Sequence, residues 1–433
     1  MSPRQANLLQ DKENKNTQEA GKELRKELVA GLTTFFTMSY ILVVNPAILS
    51  STGMPKEGVI FATAVASAIA TFVMGIYAGL PFALAPGMGL NAYFAYTVCG
   101  QMGIKWQTAL TAVFLEGVIF LLMAFFGARR ALFKAIPPSL AYGISAGIGL
   151  FIALIGLKNS GIIVQDPHTL VKLGNLKSFE ALVTLLSLIL IATLLKKGIS
   201  GSLLLGIIFV EGLALVFGKA QLPETFFGFP SPSAAFQLDF HSIFTGAIIP
   251  VIVAFLLVDV FDTVGTLSGL SARLGIPLTD KKIGRALTSD AIGTTVGGLL
   301  GTSTVTTYIE SSSGIASGGR TGITAITVAI LFLLSLFLYP LISAIPEFAT
   351  SAVLIYVGAF MMASLRKINW EDPSESLPAF VILIGIPFTF SISDGMGLGF
   401  ITYTAVKVLT GRLKDLNPLL ILITVIFTAK FFA

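Results

Sequence analysis

Three carboxylic acids stand inside stretches that are otherwise almost free of charge. Asp259 and Asp262 lie in Ala254-Phe-Leu-Leu-Val-Asp259-Val-Phe-Asp262-Thr-Val-Gly265, and Glu310 follows Gly301-Thr-Ser-Thr-Val-Thr-Thr-Tyr308-Ile. The i, i+3 spacing of the two aspartates puts them on one face of a helix. No Lys or Arg is expected at their depth. Unpaired carboxyls among apolar residues are the usual means of carrying protons or of accepting hydrogen bonds from a ligand. Other chemistries lack their parts. The two histidines, His168 and His241, fall in polar connecting segments. The single cysteine, Cys99, excludes an internal disulfide or a cysteine metal cluster and is expected to be inert. No nucleophile–base set or metal-ligand set accompanies the acids, so an enzyme is not expected and no cofactor is called for.

The elements that hold these acids are set by composition. The chain has 433 residues, 54% hydrophobic and only 12% charged, about half the charge of a soluble domain. A chain this apolar uses the lipid bilayer as part of its solvent. Stretches of spanning length, about 20 residues, fall near 29–50, 58–79, 107–127, 138–157, 179–195 and 199–217. In the second half they fall near 243–270, 285–301, 322–341, 348–365, 377–392 and 394–410. Two further segments, 81–98 and 302–319, are long enough but rich in Gly, Pro, Ser and Thr. Fourteen crossings result, with an apolar stretch at 416–433 left open between crossing and interfacial. Residues 1–28 are polar, of mixed charge, and read as a cytoplasmic tail rather than a secretory signal. With that tail inside, about twenty basic residues face the cytoplasm and six (Lys56, Lys105, Lys158, Lys172, Lys177, Lys219) face out, the asymmetry expected of a cell-membrane protein with both termini inside. The net charge of +5 therefore calls for no nucleic-acid partner.

The chain also repeats itself. Ala135-Ile136-Pro137 and Ala344-Ile345-Pro346 each open an apolar span, Ser178-Phe179-Glu180-Ala181 resembles Ser376-Leu377-Pro378-Ala379, and Gly198-Ile199-Ser200 resembles Ser391-Ile392-Ser393, with Gly206 opposite Gly399. Seven crossings per copy is odd, so the second copy enters the membrane inverted, an arrangement typical of secondary transporters. The two unusual segments are the third crossing of each copy. Pro86, Gly87 and Gly89 break the first, and the Thr/Val/Tyr run before Glu310 favours extended backbone in the second. Each reads as a short strand followed by a half-helix. Irregular backbone at membrane depth must line a cavity or be buried in protein, and half-helix N-termini offer unpaired N–H groups. A small polar site between segments 3 and 10 is the result.

At these residues the sequence resembles the AzgA-type purine permeases of the nucleobase-cation symporter and nucleobase–ascorbate transporter group. The shared stretches are Gly31-Leu-Thr-Thr-Phe-Phe-Thr-Met-Ser-Tyr, Leu84-Ala-Pro-Gly-Met-Gly-Leu-Asn91-Ala, Val258-Asp-Val-Phe-Asp262-Thr, Gly301-Thr-Ser-Thr-Val-Thr-Thr-Tyr-Ile-Glu310-Ser and Gly318-Gly-Arg320-Thr-Gly322. The resemblance implies an all-α membrane fold of two inverted seven-span repeats. The core domain would comprise 29–128 and 243–343, and the gate domain 129–220 and 344–415. It implies elevator-like movement, a homodimer held through the gate, and import of adenine, guanine or hypoxanthine in symport with protons. It assigns function to Asn91, Asp259, Asp262 and Glu310. Ser311 stands after Glu310 where the nucleobase–ascorbate signature has Asn, which makes xanthine, urate and ascorbate poorer guesses.

Purine chemistry agrees with that assignment. A carboxylate at Asp259 or Glu310 accepts two N–H bonds at once, as acids do on base edges. Asn91 gives and takes, and backbone N–H groups near Gly89 and Ser312 meet ring nitrogens. Phe94, Tyr93 or Phe255 stacks on the ring. Ser311–Ser313 either donate to substrate or cap the half-helix. Asp262, or Asp259 and Glu310 as a coupled set, carries the proton. Glu116 and Glu211 read as packed, protonated or interface-facing, Asp290 as an edge pair with Arg285, and Lys407 and Lys430 as snorkelling. The recurring Gly293, Gly297, Gly314, Gly318, Gly319 and Gly322 read as close helix contacts. The competing reading is an anion or other small-solute transporter of the same fold, which half-helix N-termini favour and three unpaired acids oppose. A channel would need a visible ring of filter residues.

Overall fold

The computed structural model describes residues 3–125, 137–242 and 248–432, excluding the side chains of 3–18 and 124–125. The expected domain start at 129, the basic residues Arg129, Arg130 and Lys134, Ala135-Ile136 of the first repeat match and the first residues of the span expected from 243 lie outside the described residues.

The expected crossings are helical, with strands only where Gly and Pro or a Thr run interrupt the apolar pattern. The first is α1 (Pro3–Met38), which turns at Ser39–Tyr40 into α2 (Ile41–Ser50). The expected tail is therefore not a separate segment: its backbone is helical from Pro3 and continuous with the span. α3 (Lys56–Val73) widens into a π-helical turn at Met74–Ala78. β1 (Leu84–Pro86) and the short α4 (Met88–Ala92), which widens over Tyr93–Gln101, form the third crossing. α5 (Trp106–Phe125), α6 (Pro138–Asn159), α7 (Phe179–Lys196) and α8 (Ser202–Val216) complete the first half. Between α6 and α7 a small hairpin of β2 (Ile163–Asp166) and β3 (Leu170–Leu173) stands in a connection that showed no strand signal.

The second half begins with α9 (Ile248–Leu274) and α10 (Lys281–Leu300), followed by β4 (Val305–Thr307) and α11 (Ser311–Ala316). α12 (Gly322–Ser335), α13 (Tyr339–Ala344), α14 (Ser351–Met361), α15 (Pro373–Thr389) and α16 (Ile392–Leu409) follow. The last helix, α17 (Pro418–Phe432), has 15 residues. At 1.5 Å per residue it reaches about 22 Å, short of a hydrocarbon core of roughly 30 Å. Among the described residues seven helices are long and apolar enough to cross a bilayer, and four more are apolar but shorter.

β1 and β4 pair antiparallel, Leu84 with Thr307, Ala85 with Thr306 and Pro86 with Val305. They are equivalent pieces of the two copies, so their opposite directions make the inversion of the repeat visible. α1 packs on α11 and α12, α3 on α2, α10 and α12, and α10 on α5, forming one group of helices around the strand pair. α6 packs on α14 and α15, α15 on α16, α16 on α17, and α7 on α8, forming a second. Small residues set both groups' spacing, because helices in lipid associate through close backbone approach rather than through burial from water. A Cβ added to Gly322 would lie 1.9 Å from the Gly75 carbonyl oxygen, and one added to Gly358 would lie 2.3 Å from that of Gly149. The expected packing role of Gly322 is therefore met. Gly206 and Gly399, matched in the repeat, each press on an isoleucine of the preceding helix, Ile191 and Ile382.

Candidate functional site

The strand pair is three residues long, so its ends need other partners. The Gly87 N–H donates to the Thr304 carbonyl at 2.9 Å, and the Tyr308 N–H to that of Ala83 at 2.9 Å. Threonines supply the rest. Thr71 Oγ1 accepts from the Leu84 N–H at 2.9 Å and donates to its carbonyl at 3.1 Å, and Thr294 Oγ1 donates to the Val305 carbonyl at 3.0 Å. The Tyr308 hydroxyl donates to the Pro86 carbonyl. Threonines of the flanking helices α3 and α10 thus close the ladder at Leu84 and Val305. α4 and α11 leave the strand pair as two half-helices.

The predicted residues gather around this pair, with different exposures. Asp262 and Glu310 are part-exposed, whereas Asn91 and Asp259 are fully buried. Asp262 lies against α4: a Cβ added to Gly87 would sit 3.8 Å from Asp262 Oδ2. Glu310 precedes α11, and its Oε1 accepts from the Tyr40 hydroxyl at 2.8 Å. Asn91 Oδ1 accepts from the Ser303 hydroxyl, while its Nδ2 has no partner. Asp259 Oδ2 accepts from Thr294 Oγ1 at 3.3 Å, while Oδ1 has no partner. A buried polar atom left unpaired costs about 1–3 kcal/mol, so Asn91 Nδ2 and Asp259 Oδ1 are atoms whose hydrogen-bonding capacity the protein leaves unused.

Other predicted residues are engaged in holding the site. Ser311 Oγ accepts from the Ala83 N–H at 3.0 Å, clasping α11 to β1. The Ser312 N–H is taken by the Ile309 carbonyl at 2.9 Å and is not free for a ring nitrogen. Gly89 abuts Ile148 of α6, 2.5 Å from an added Cβ, where the two helix groups meet. Phe94 is fully buried and packs on Phe255, with centroids 6.5 Å apart, and Tyr93 packs on the same ring at 4.8 Å. The three expected stacking residues thus share one aromatic cluster centred on Phe255.

Several residues differ from their sequence reading. Asp290 is fully buried and forms no edge pair with Arg285. Its Oδ2 accepts from Thr263 at 2.6 Å and its Oδ1 from Thr307 at 3.0 Å, joining α9, α10 and β4. Glu27, counted with the tail, is buried and caps α12: it accepts from the N–H groups of Arg320 at 2.9 Å and Thr321 at 3.1 Å and from the Thr324 hydroxyl. Arg320 in turn donates to the Ile315 carbonyl at 2.6 Å at the C-terminal end of α11, where a cation is favoured. Lys407 does not snorkel. It is buried and bonds Glu375 at 2.6 Å, Ser374 at 2.9 Å and Asp415 at 3.1 Å. Lys430 pairs with Asp394 at 2.5 Å, which ties α17 to α16. Tyr40 was missed because a tyrosine in an apolar span carries no signal until its partner, 270 residues away, is known.

Among the described residues no group of His, Cys, Asp and Glu is arranged to hold a metal ion. A cavity of about 400 Å³ opens elsewhere, lined by Ser51, Thr52, Cys99, Lys105 and Trp106, and holds none of the carboxyls described above.

Comparison with known proteins places this geometry. Residues 25–398 match the Xan_ur_permease model, described as a permease family. The chain is 43% identical over 416 residues to the adenine permease AdeP of Escherichia coli strain K12, covering 95% of this chain and 94% of that one. It is 42% identical over 420 residues to the guanine/hypoxanthine permease PbuO of Bacillus subtilis strain 168, covering 94% and 97%. In fold it is similar to the transmembrane domain of the cyanobacterial bicarbonate transporter BicA, with a TM-score of 0.66 at 15% identity over 86% of this chain and 97% of that one, a transporter of two inverted seven-span repeats. Its family and its permease relatives make the chain a transporter rather than an enzyme, and its helices of spanning length make it a multi-pass membrane protein; it belongs to the Xan_ur_permease family.

Proposed function

We propose that this permease imports purine nucleobases (guanine, hypoxanthine or adenine) together with protons across the cell membrane, with both termini in the cytoplasm. The observation that carries this reading is the set around the strand pair: Asn91, Asp259, Asp262 and Glu310, with buried Nδ2 and Oδ1 atoms still unpaired and no basic side chain bonded to any of them. A neutral, flat base with several N–H donors and a few acceptors satisfies such a set. An anion does not, because it would be brought against three carboxyls. The relatives named for adenine and for guanine and hypoxanthine support the same cargo.

In this reading Glu310 and Asp259 accept the base N–H groups, Asn91 Nδ2 donates to a ring nitrogen, and Asp262 takes part in proton coupling. The helices around the strand pair act as the core and those around α6, α14 and α15 as the gate. The two groups meet at Gly89 against Ile148, at Gly201 against Phe36, along α9 where it passes α6, α16 and α17, and at Thr97, whose hydroxyl donates to the Phe390 carbonyl at 2.9 Å. In this reading the core slides as a body along that contact against a fixed gate, held in a dimer of gates.

The test is uptake of radiolabelled adenine, guanine, hypoxanthine and uracil in cells lacking their own permeases, with and without a protonophore. Purine uptake that the protonophore abolishes is expected, with Asp259→Ala and Glu310→Ala inactive although present in the membrane. No uptake of any base by protein shown to be in the membrane would overturn the reading and return the anion alternative. Unchanged rate and pH profile in both variants would remove these residues from the mechanism.

A further inference from the structure

From its sequence Glu116 reads as packed, protonated or interface-facing. It stands in the middle of α5, is fully buried, and neither of its carboxyl oxygens has a partner in hydrogen-bond geometry among the described residues. A carboxylate only accepts, so an ionised Glu116 would lie buried at membrane depth with no cation paired to it among the described residues and with a second carboxyl beside it, an unfavourable arrangement. Its neighbours are the Asp259 carboxyl and the Thr304 hydroxyl, and Asp259 Oδ1 and Thr304 Oγ1 are likewise buried and unpaired. Two acceptor-only groups facing each other need a proton between them.

The backbone keeps Glu116 from leaving this place. An added Cβ at Gly117 would lie 2.6 Å from the Thr295 N–H nitrogen, and one at Gly298 would lie 2.8 Å from that of Phe114, so α5 and α10 touch main chain to main chain. The titratable groups that face Glu116 are Asp259 from α9 and Asp290 from α10, and no basic group acts on it. Asp290 is already satisfied by Thr263 and Thr307. Asp259 stands one helical turn from the part-exposed Asp262 and so links Glu116 to the open side of the site.

We propose that Glu116 is a proton-carrying residue of transport, exchanging one proton with Asp259; the proposal rests on the purine–proton symport reading. The step balances simply. A proton entering by Asp262 is held between Asp259 and Glu116. When a base N–H donates to Asp259, that carboxyl is favoured as the anion and the proton sits on Glu116. Release of the base lets Asp259 take the proton back and pass it to water on the other side. No bond other than O–H is made or broken, and no co-reactant is needed.

The experiment uses the full-length protein in liposomes, wild type beside Glu116→Gln, which keeps the size of the neutral acid. Three quantities are read: exchange of labelled guanine and adenine at equal pH on both sides, accumulation driven by an inward proton gradient, and proton uptake on adding guanine in weak buffer. The expected result is exchange retained, uphill accumulation lost and the proton uptake lost. Wild-type accumulation and proton uptake in Glu116→Gln would overturn the proposal. Wild-type protein that exchanges no purine would instead sink the cargo reading, which separates the two failures. Where Glu116→Gln does not fold, the wild type carries the test through labelling by dicyclohexylcarbodiimide, which attacks protonated buried carboxyls. Labelling mapped to Glu116 that falls with rising pH and changes with guanine supports the role, and its absence at every pH overturns it.

Discussion

Replacing Tyr40 by phenylalanine removes a single oxygen, the one that donates to Glu310 Oε1 at 2.8 Å. The ring stays in its buried place at the turn between α1 and α2, so packing is unchanged. What is lost is the contact that fixes the rotation of the Glu310 carboxyl. A hydrogen bond to a charged acceptor contributes about 1.5–3 kcal/mol, or roughly ten- to a hundredfold in affinity. Glu310 is part-exposed, so water replaces some of the lost donor, and the lower end, about tenfold, is expected. Tyr40 orients the carboxyl whether or not the base has begun to move, so the loss falls on KM and leaves Vmax near wild type. The assay is initial-rate uptake of labelled guanine over a range of concentrations, with Tyr77→Phe, a change on a surface-facing ring, as the control. A KM for Tyr40→Phe equal to that of the control would refute the argument that this hydroxyl positions Glu310.

Three further outcomes follow from packing and charge. Gly322→Val drives a side chain into the Gly75 carbonyl, which is main chain and cannot yield. A loss on the order of 1–3 kcal/mol or more is expected, seen as a lower melting temperature in detergent, and a melting temperature equal to wild type would contradict the contact. Lys407→Met leaves Glu375 and Asp415 without their shared cation. A full buried pair broken in this way costs about 3–5 kcal/mol, and the partial exposure of both acids brings the expected loss toward about 2 kcal/mol; thermal denaturation measures it. At the polar edge of α15, the Arg412 guanidinium and the Ser374 N–H and hydroxyl hold the Asp372 carboxyl below its usual range. A carboxyl lowered on folding adds stability above its unfolded value, near pH 4, and loses it as pH falls through the folded value. Arg412→Gln should therefore lower the melting temperature at pH 7 and narrow its difference from wild type below pH 4. An equal difference at pH 7 and pH 3 would count against the bridge.

The parts of the fold that composition controls were legible before any coordinates. Spanning segments follow from length and apolarity, and the two broken crossings follow from Pro86, Gly87 and Gly89 in one and the Thr run in the other. The carboxyls Asp259, Asp262 and Glu310 stood out because charge is rare in such segments. What was not legible depends on partners far along the chain. Asp290 was read against Arg285, its nearest opposite charge in sequence, but its bonds go to hydroxyls on α9 and β4. Lys407 was read as reaching for water because its acids, Glu375 and Asp415, belong to other segments. Glu27 resembled the rest of a charged tail, and only the position of α12 gives it N–H groups to accept. In each case the residue type was read correctly and the neighbour was not.

The pairing of β1 with β4 also bears on how the protein is made. Leu84 meets Thr307, more than two hundred residues later in the chain. At a synthesis rate of roughly 5–20 residues per second, the first strand waits on the order of ten to forty seconds before its partner leaves the ribosome. An extended segment with open N–H and C=O groups does not tolerate hydrocarbon for that long. Thr71 supplies the interim partner. From α3, already inserted, its one hydroxyl meets both the N–H and the carbonyl of Leu84. Leu84 can therefore be held from within the first half while the groups at Ala83, Pro86 and Gly87 wait for the second half to arrive.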